Sequence, residues 1–155
     1  VRVDNVWYMY SQVLIPRGSP IDRKQPGDTQ QIAETRADRI MLCVSGDGHT
    51  WTRMSEHGVI ADLEFPTQTQ LLNPMVIHVP WNPLGDGKVW WMYIGARIKG
   101  GETEYYQIRS DDPRSFSWNN RVSTKLPEFV NQVAYVRDAP GGPLFFCFTC
   151  RYPGL

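Results

Sequence analysis

The chain has 155 residues, enough for one domain that buries roughly two-thirds of its unfolded surface, and its 16 basic residues balance 16 acidic ones. A net charge of zero gives no field that would gather polyanions or anionic lipid, so neither nucleic acid nor a membrane surface is expected as a partner. Nineteen aromatic residues alongside 12 Pro and 13 Gly describe short strands joined by tight turns, and no apolar run approaches the ~20 residues that cross a bilayer as a helix.

In chain order, Val1-Arg2-Val3 reads as the tail of a strand and not as a signal peptide, and an opening without Met reads as a processed product or a fragment. Asp4-Asn5 supplies a hairpin turn, and Val6-Trp7-Tyr8-Met9-Tyr10, apolar on both faces, predicts a strand held between sheets. An insertion over residues 15–38 follows, rich in Pro, Gly and charge, and reads as a surface excursion or a binding lid, with a short helical turn over Gln30 to Arg39. Ile40-Met41-Leu42-Cys43-Val44 predicts the next strand. It ends in Ser45-Gly46-Asp47-Gly48-His49-Thr50-Trp51, where the Asp can bond the turn backbone and the Trp can plug the space between sheets. Further on, Asp62 and Glu64 share one face of a strand, an ordinary exposed acidic face.

The same succession then recurs. Asn73-Pro74-Met75-Val76-Ile77-His78-Val79 predicts an inner strand, Asp86-Gly87-Lys88 a hairpin turn, and Val89-Trp90-Trp91-Met92-Tyr93 a second buried strand. Ser110-Asp111-Asp112-Pro113 before Trp118 repeats the Ser-x-Asp turn, with Trp118, like Trp51, expected to be buried. Asn131-Gln132-Val133-Ala134-Tyr135-Val136, Gly141-Gly142-Pro143 and Leu144-Phe145-Phe146-Cys147-Phe148 begin a third copy. Cys147 and Cys150 lie three apart, on opposite faces of a strand, so these and Cys43 read as buried free thiols and no metal or other cofactor is expected.

The prediction is an all-β chain, a β-propeller or partial propeller of about two and a half four-stranded antiparallel blades forming one domain. The blades are residues 1–66, 67–125 and a half blade 126–155. This blade pattern resembles the five-bladed propellers of the glycoside hydrolase clans that contain arabinanases, β-xylosidases, invertases and levanases, and the Ser-Gly-Asp-Gly-His-Thr-Trp turn is similar to the Asp-box of sialidase propellers. The resemblance implies three carboxylates around the mouth of a central channel. The first-blade Asp would lie before Val1. The second is replaced by Asn73, whose amide cannot do a carboxylate's work, and Glu128 is the candidate general acid of the third blade, or else a solvated residue of its loop.

Asn73, Asn131 and Gln132 are the candidate ligand-binding residues of that mouth. His78, which also reads as a structural histidine, and the loop residue Trp81, expected to offer a flat apolar face to a sugar ring, complete the set. The expected function is saccharide or glycan binding, or interaction, without complete catalytic machinery. The alternative is a glycoside hydrolase whose site is completed by a second subunit or by upstream sequence. Apolar faces on the first and last blades predict a homo-oligomer that completes the propeller.

Overall fold

A computed structural model describes residues 1–15, 37–54, 59–60, 69–98, 102–136, 140, 142 and 144–150. The chain is all-β: the described residues form nine strands in three antiparallel sheets and no α-helix. The first sheet has the order β1 (Arg2–Val3), β2 (Val6–Ile15), β3 (Ala37–Ser45) and β4 (Thr52–Arg53). The second is β5 (Thr69–His78), β6 (Trp90–Ile98) and β7 (Thr103–Ser110), and the third is β8 (Phe129–Val136) with β9 (Leu144–Cys150). Within each sheet every strand pairs with the strand next to it in sequence, as adjacent elements most often do. Asp4 and Asn5 take φ of 48° and 63°, the left-handed pair that a two-residue hairpin between β1 and β2 requires.

The edges of β3 and β7 are partly covered. Met54 and Val59 donate backbone N–H groups to Leu42 and Ile40, and Val122 and Leu126 donate to Gln107 and Tyr105. Phe116 N–H reaches Val59 O at 2.7 Å, tying the outer parts of the first two sheets together.

Two apolar clusters hold the sheets face to face, and β6 explains both. Its alternation sends Trp90, Met92, Ile94 and Ala96 to one side, against Ile40 and Leu42 of the first sheet. Trp91 and Tyr93 go to the other, against Val130 and Val133 of the third. A strand covered on both faces reads as a continuous apolar run, as Val89 to Tyr93 does. The three sheets stack without closing into a ring.

Both Ser-x-Asp turns form as expected. Asp47 Oδ1 accepts from His49 N at 2.8 Å and Thr50 N at 2.7 Å, and Asp112 Oδ1 accepts from Arg114 N at 2.8 Å. The tryptophans that follow them differ. Trp118 opens a 3-10 turn (Trp118–Asn120) and is buried at 8% exposure, with its ring edge-on to Tyr106 at 5.1 Å. Trp51 is 37% exposed, because among the described residues no further sheet covers that side of the first one.

The same cause corrects two more expectations. Trp7 is 38% exposed, and β9 is not buried on both faces, since Leu144, Phe146 and Phe148 are 45%, 50% and 57% exposed. Cys147 is exposed and Cys43 half-buried, so these thiols are not core residues. Residues 37–39 belong to β3 and not to a helical turn; its remainder, the insertion from residue 16 to 36 and the Asp62/Glu64 pair lie outside the described residues.

Candidate functional site

Two inner strands, β5 and β8, break their ladders at the same kind of residue. The β5–β6 register shifts between Leu72 and Met75, across Asn73-Pro74, and the β8–β9 register shifts between Val130 and Gln132, at Asn131. Pro74 has no N–H for the ladder, and Asn73 takes φ of 49°, a left-handed conformation that Asn tolerates better than most residues. Bulges of this sort re-aim side chains and end regular pairing. Here Asn73 and Asn131 are both exposed.

The two asparagines line one open cleft of about 370 Å³, where β2, β5 and β8 meet. From β2 it takes Tyr10, Ser11 and Gln12, and from the other two strands Pro74, Met75, Phe129 and Val130. Gln12 is a strut as well as a lining group, because its Oε1 accepts the Asn73 N–H at 3.1 Å and so links two sheets. That bond orients the Gln12 amide and leaves its NH2 group as donors. Tyr10 is fixed from below: its hydroxyl donates to Pro113 O at 2.7 Å and its ring meets Phe116 edge-on at 6.1 Å. Burial, with smaller contributions from Tyr8 and Asp112, raises the Tyr10 hydroxyl far above the ordinary phenol value, so it stays neutral. Among the described residues no carboxylate and no histidine lines the cleft.

A second cleft of about 330 Å³ shares Tyr10, Pro74 and Met75 with the first and continues past Trp7, Met9 and Trp51. Sequence reasoning assigned these tryptophans to packing. A Trp in a strand carries no local signal of whether a neighbouring sheet covers it. Gln12 and Ser11 were missed for a related reason, since two polar residues within an apolar strand have no distinctive spacing.

The other candidate residues lie elsewhere. Glu128 is half-buried next to the lining residue Phe129 but is not itself part of the cleft lining, and its Oε2 accepts from Thr149 Oγ1 at 2.8 Å. Gln132 pairs with Phe148 on the outward side of β8. His78 ends β5, five residues and roughly 16 Å beyond Asn73 at ~3.3 Å per strand residue, with its ring 4.7 Å from that of Trp90. Burial there lowers its pKa, and Asp4 offsets this only in part, so it is a neutral imidazole packed on an indole.

Trp81 is 55% exposed in the loop from Val79 to Val89, beyond the His78 end of β5. This loop is cross-linked internally. Asn82 Oδ1 accepts from Leu84 N at 2.9 Å, Asn82 also contacts Asp86, and Asp86 Oδ1 accepts from Lys88 N at 3.0 Å. Partial burial raises the Asp86 pKa, but the Lys88 N–H, the Asn82 amide and Arg109, 3.5 Å away, outweigh it, and the net shift is downward. Among the described residues no group of three or more His, Cys, Asp or Glu side chains is arranged to hold a metal ion.

The geometry therefore offers hydrogen-bond donors and acceptors of neutral charge, contributed by three sheets to one open cleft. Among the described residues its lining has no acid and base flanking a common point. No family model, no curated protein and no solved structure matches the chain.

Proposed function

We propose that the chain is a glycosidase-like, partial β-propeller module that binds a saccharide in the Gln12–Asn73–Asn131 cleft and does not by itself hydrolyse it. The observation that carries this reading is the lining itself: three primary amides and a serine around about 370 Å³, with Tyr10, Pro74 and Phe129 supplying apolar surface. A sugar presents hydroxyls that both donate and accept along with apolar C–H faces, and neutral amides beside rings match both. Meandering antiparallel sheets that stack through β6 support the propeller-like part of the reading. The hydrolase alternative needs two carboxylates flanking one bond. Glu128 is bound to Thr149 outside the cleft lining, which favours binding over hydrolysis.

Calorimetry against a panel of mono- and oligosaccharides tests the reading. At least one should bind, and Asn131→Ala should weaken it about three- to tenfold, as expected for losing one neutral hydrogen bond of ~0.5–1.5 kcal/mol. Absence of binding across the panel at millimolar concentration rejects it. Turnover of an aryl glycoside by the chain alone would instead establish the hydrolase.

A further inference from the structure

The two ends of the stack carry the two halves of a contact that already occurs twice inside it. Between the first and second sheets the ring of Tyr8 lies 5.0 Å from that of Trp90, and between the second and third the ring of Trp91 lies 4.9 Å from that of Phe145. In each case an aromatic residue near the start of one hairpin's second strand meets the aromatic residue one step earlier in the next sheet. Tyr8, Trp91 and Phe146 are equivalent positions in β2, β6 and β9, and Trp7, Trp90 and Phe145 are the positions just before them.

Among the described residues, Phe146 and Trp7 are the two members without a partner sheet. Tyr8 and Tyr10 pack toward the second sheet, so alternation turns Trp7 and Met9 outward at 38% and 41% exposure. Phe145 packs inward on Trp91, so Leu144, Phe146 and Phe148 face outward, with Val136 beside Leu144 at 42% exposure. Contiguous apolar faces of this kind mark interaction surfaces. A formal net charge of zero opposes no approach of like chains.

We infer that a second copy of this chain covers both faces, packed head to tail, with Phe146 of each copy against Trp7 of the other as the third instance of the Tyr8–Trp90 contact. The two faces differ in composition, so the contact is heterologous, and it becomes finite by closing on itself as a twofold ring.

Light scattering on the full chain at micromolar concentration should give twice the 17.8 kDa of one copy. Trp7→Lys alone and Phe146→Glu alone should each give monomers with unchanged circular dichroism, because each breaks both contacts of the ring. Mixed in equal amounts they should recover the dimer, since one contact is then native and the other pairs Lys with Glu. Met9→Lys, on the same outward face, replaces Trp7→Lys if the latter does not fold. A wild-type monomer overturns the inference, whether another polypeptide or nothing covers these faces. Dissociation by only one of the two substitutions overturns it as well, because that marks a like-with-like interface.

Discussion

Replacing Trp118 by Ala is the sharpest test of how the first two sheets are held together. Its ring is only 8% exposed, belongs to the larger apolar cluster, meets Tyr106 edge-on at 5.1 Å, and lies beneath the Arg121 guanidinium carbon, 5.0 Å from the ring. Truncation removes the transfer term and leaves a void between rigid sheets, for which large aromatic deletions cost about 3–5 kcal/mol. For a chain of this length each kcal/mol moves Tm by about 2–4 °C, so the transition should fall by about 6–20 °C. Trp51→Ala is the internal comparison. At 37% exposure its ring leaves no enclosed void, and roughly six-tenths of a burial energy of ~1.5–3 kcal/mol gives a cost of about 1–2 kcal/mol. Far-UV circular dichroism melts at one chain concentration measure both, since association adds a mass-action contribution to Tm. Equal losses for the two variants would refute the assignment of Trp118 to an enclosed core and Trp51 to an open face.

Two further outcomes follow from the turns and the central strand. Backbone N–H bonds from Thr50 and His49 hold the Asp47 carboxyl below the ordinary carboxylate range. A depressed carboxylate stabilises the fold above its unfolded value near ~3.9 and loses that contribution as pH falls through the folded value. The stability gap between wild type and Asp47→Ala should therefore narrow on acidification below about pH 4, in denaturant titrations at pH 7 and pH 3; a gap that widens contradicts the turn's role. In β6, a Cβ at Gly95 would come within 3.1 Å of Thr103 Cγ2 and 3.3 Å of Tyr105 Cε1, so Gly95→Ala should destabilise by about 1–3 kcal/mol through overpacking, and a neutral or stabilising result in the same melts would show that β7 yields there.

Local chemistry made the strands and turns legible in the sequence. Asp4-Asn5 and the two Ser-x-Asp turns encode their backbone conformations within a few residues and form as read, whereas Asp86-Gly87 makes one bend of a longer loop between β5 and β6 and not a tight hairpin. What a single strand cannot encode is whether a sheet lies beyond it. The runs Val6 to Tyr10, Val89 to Tyr93 and Leu144 to Phe148 are alike in pattern, yet among the described residues only the middle one is covered on both sides, which is why Trp7 and Phe146 were misjudged as interior. The candidate site divides in the same way. Asn73 and Asn131 stood out as repeated residues and share the cleft, whereas Gln12 entered through a hydrogen bond across 61 positions of sequence, and Trp81 and His78 fall at the far end of β5.

The cleft has no rigidity of its own beyond what the stack supplies. Gln12, Asn73 and Asn131 belong to three different sheets, and the distances among them are set by the two apolar clusters that space those sheets, with the Gln12–Asn73 bond as a polar strut between the first two at the cleft itself. Any ligand that bridges the amides must therefore bind the stacked arrangement and not the separated sheets. By linkage it stabilises that arrangement by RT ln(1 + [L]/Kd), about 2.7 kcal/mol at a hundredfold excess over Kd. The converse holds through the same terms. Substitutions such as Trp118→Ala, which touch no residue of the cleft, loosen the cluster that fixes Gln12 against Asn73, and so act on affinity through the population of the stacked state and not through any lost contact with the ligand.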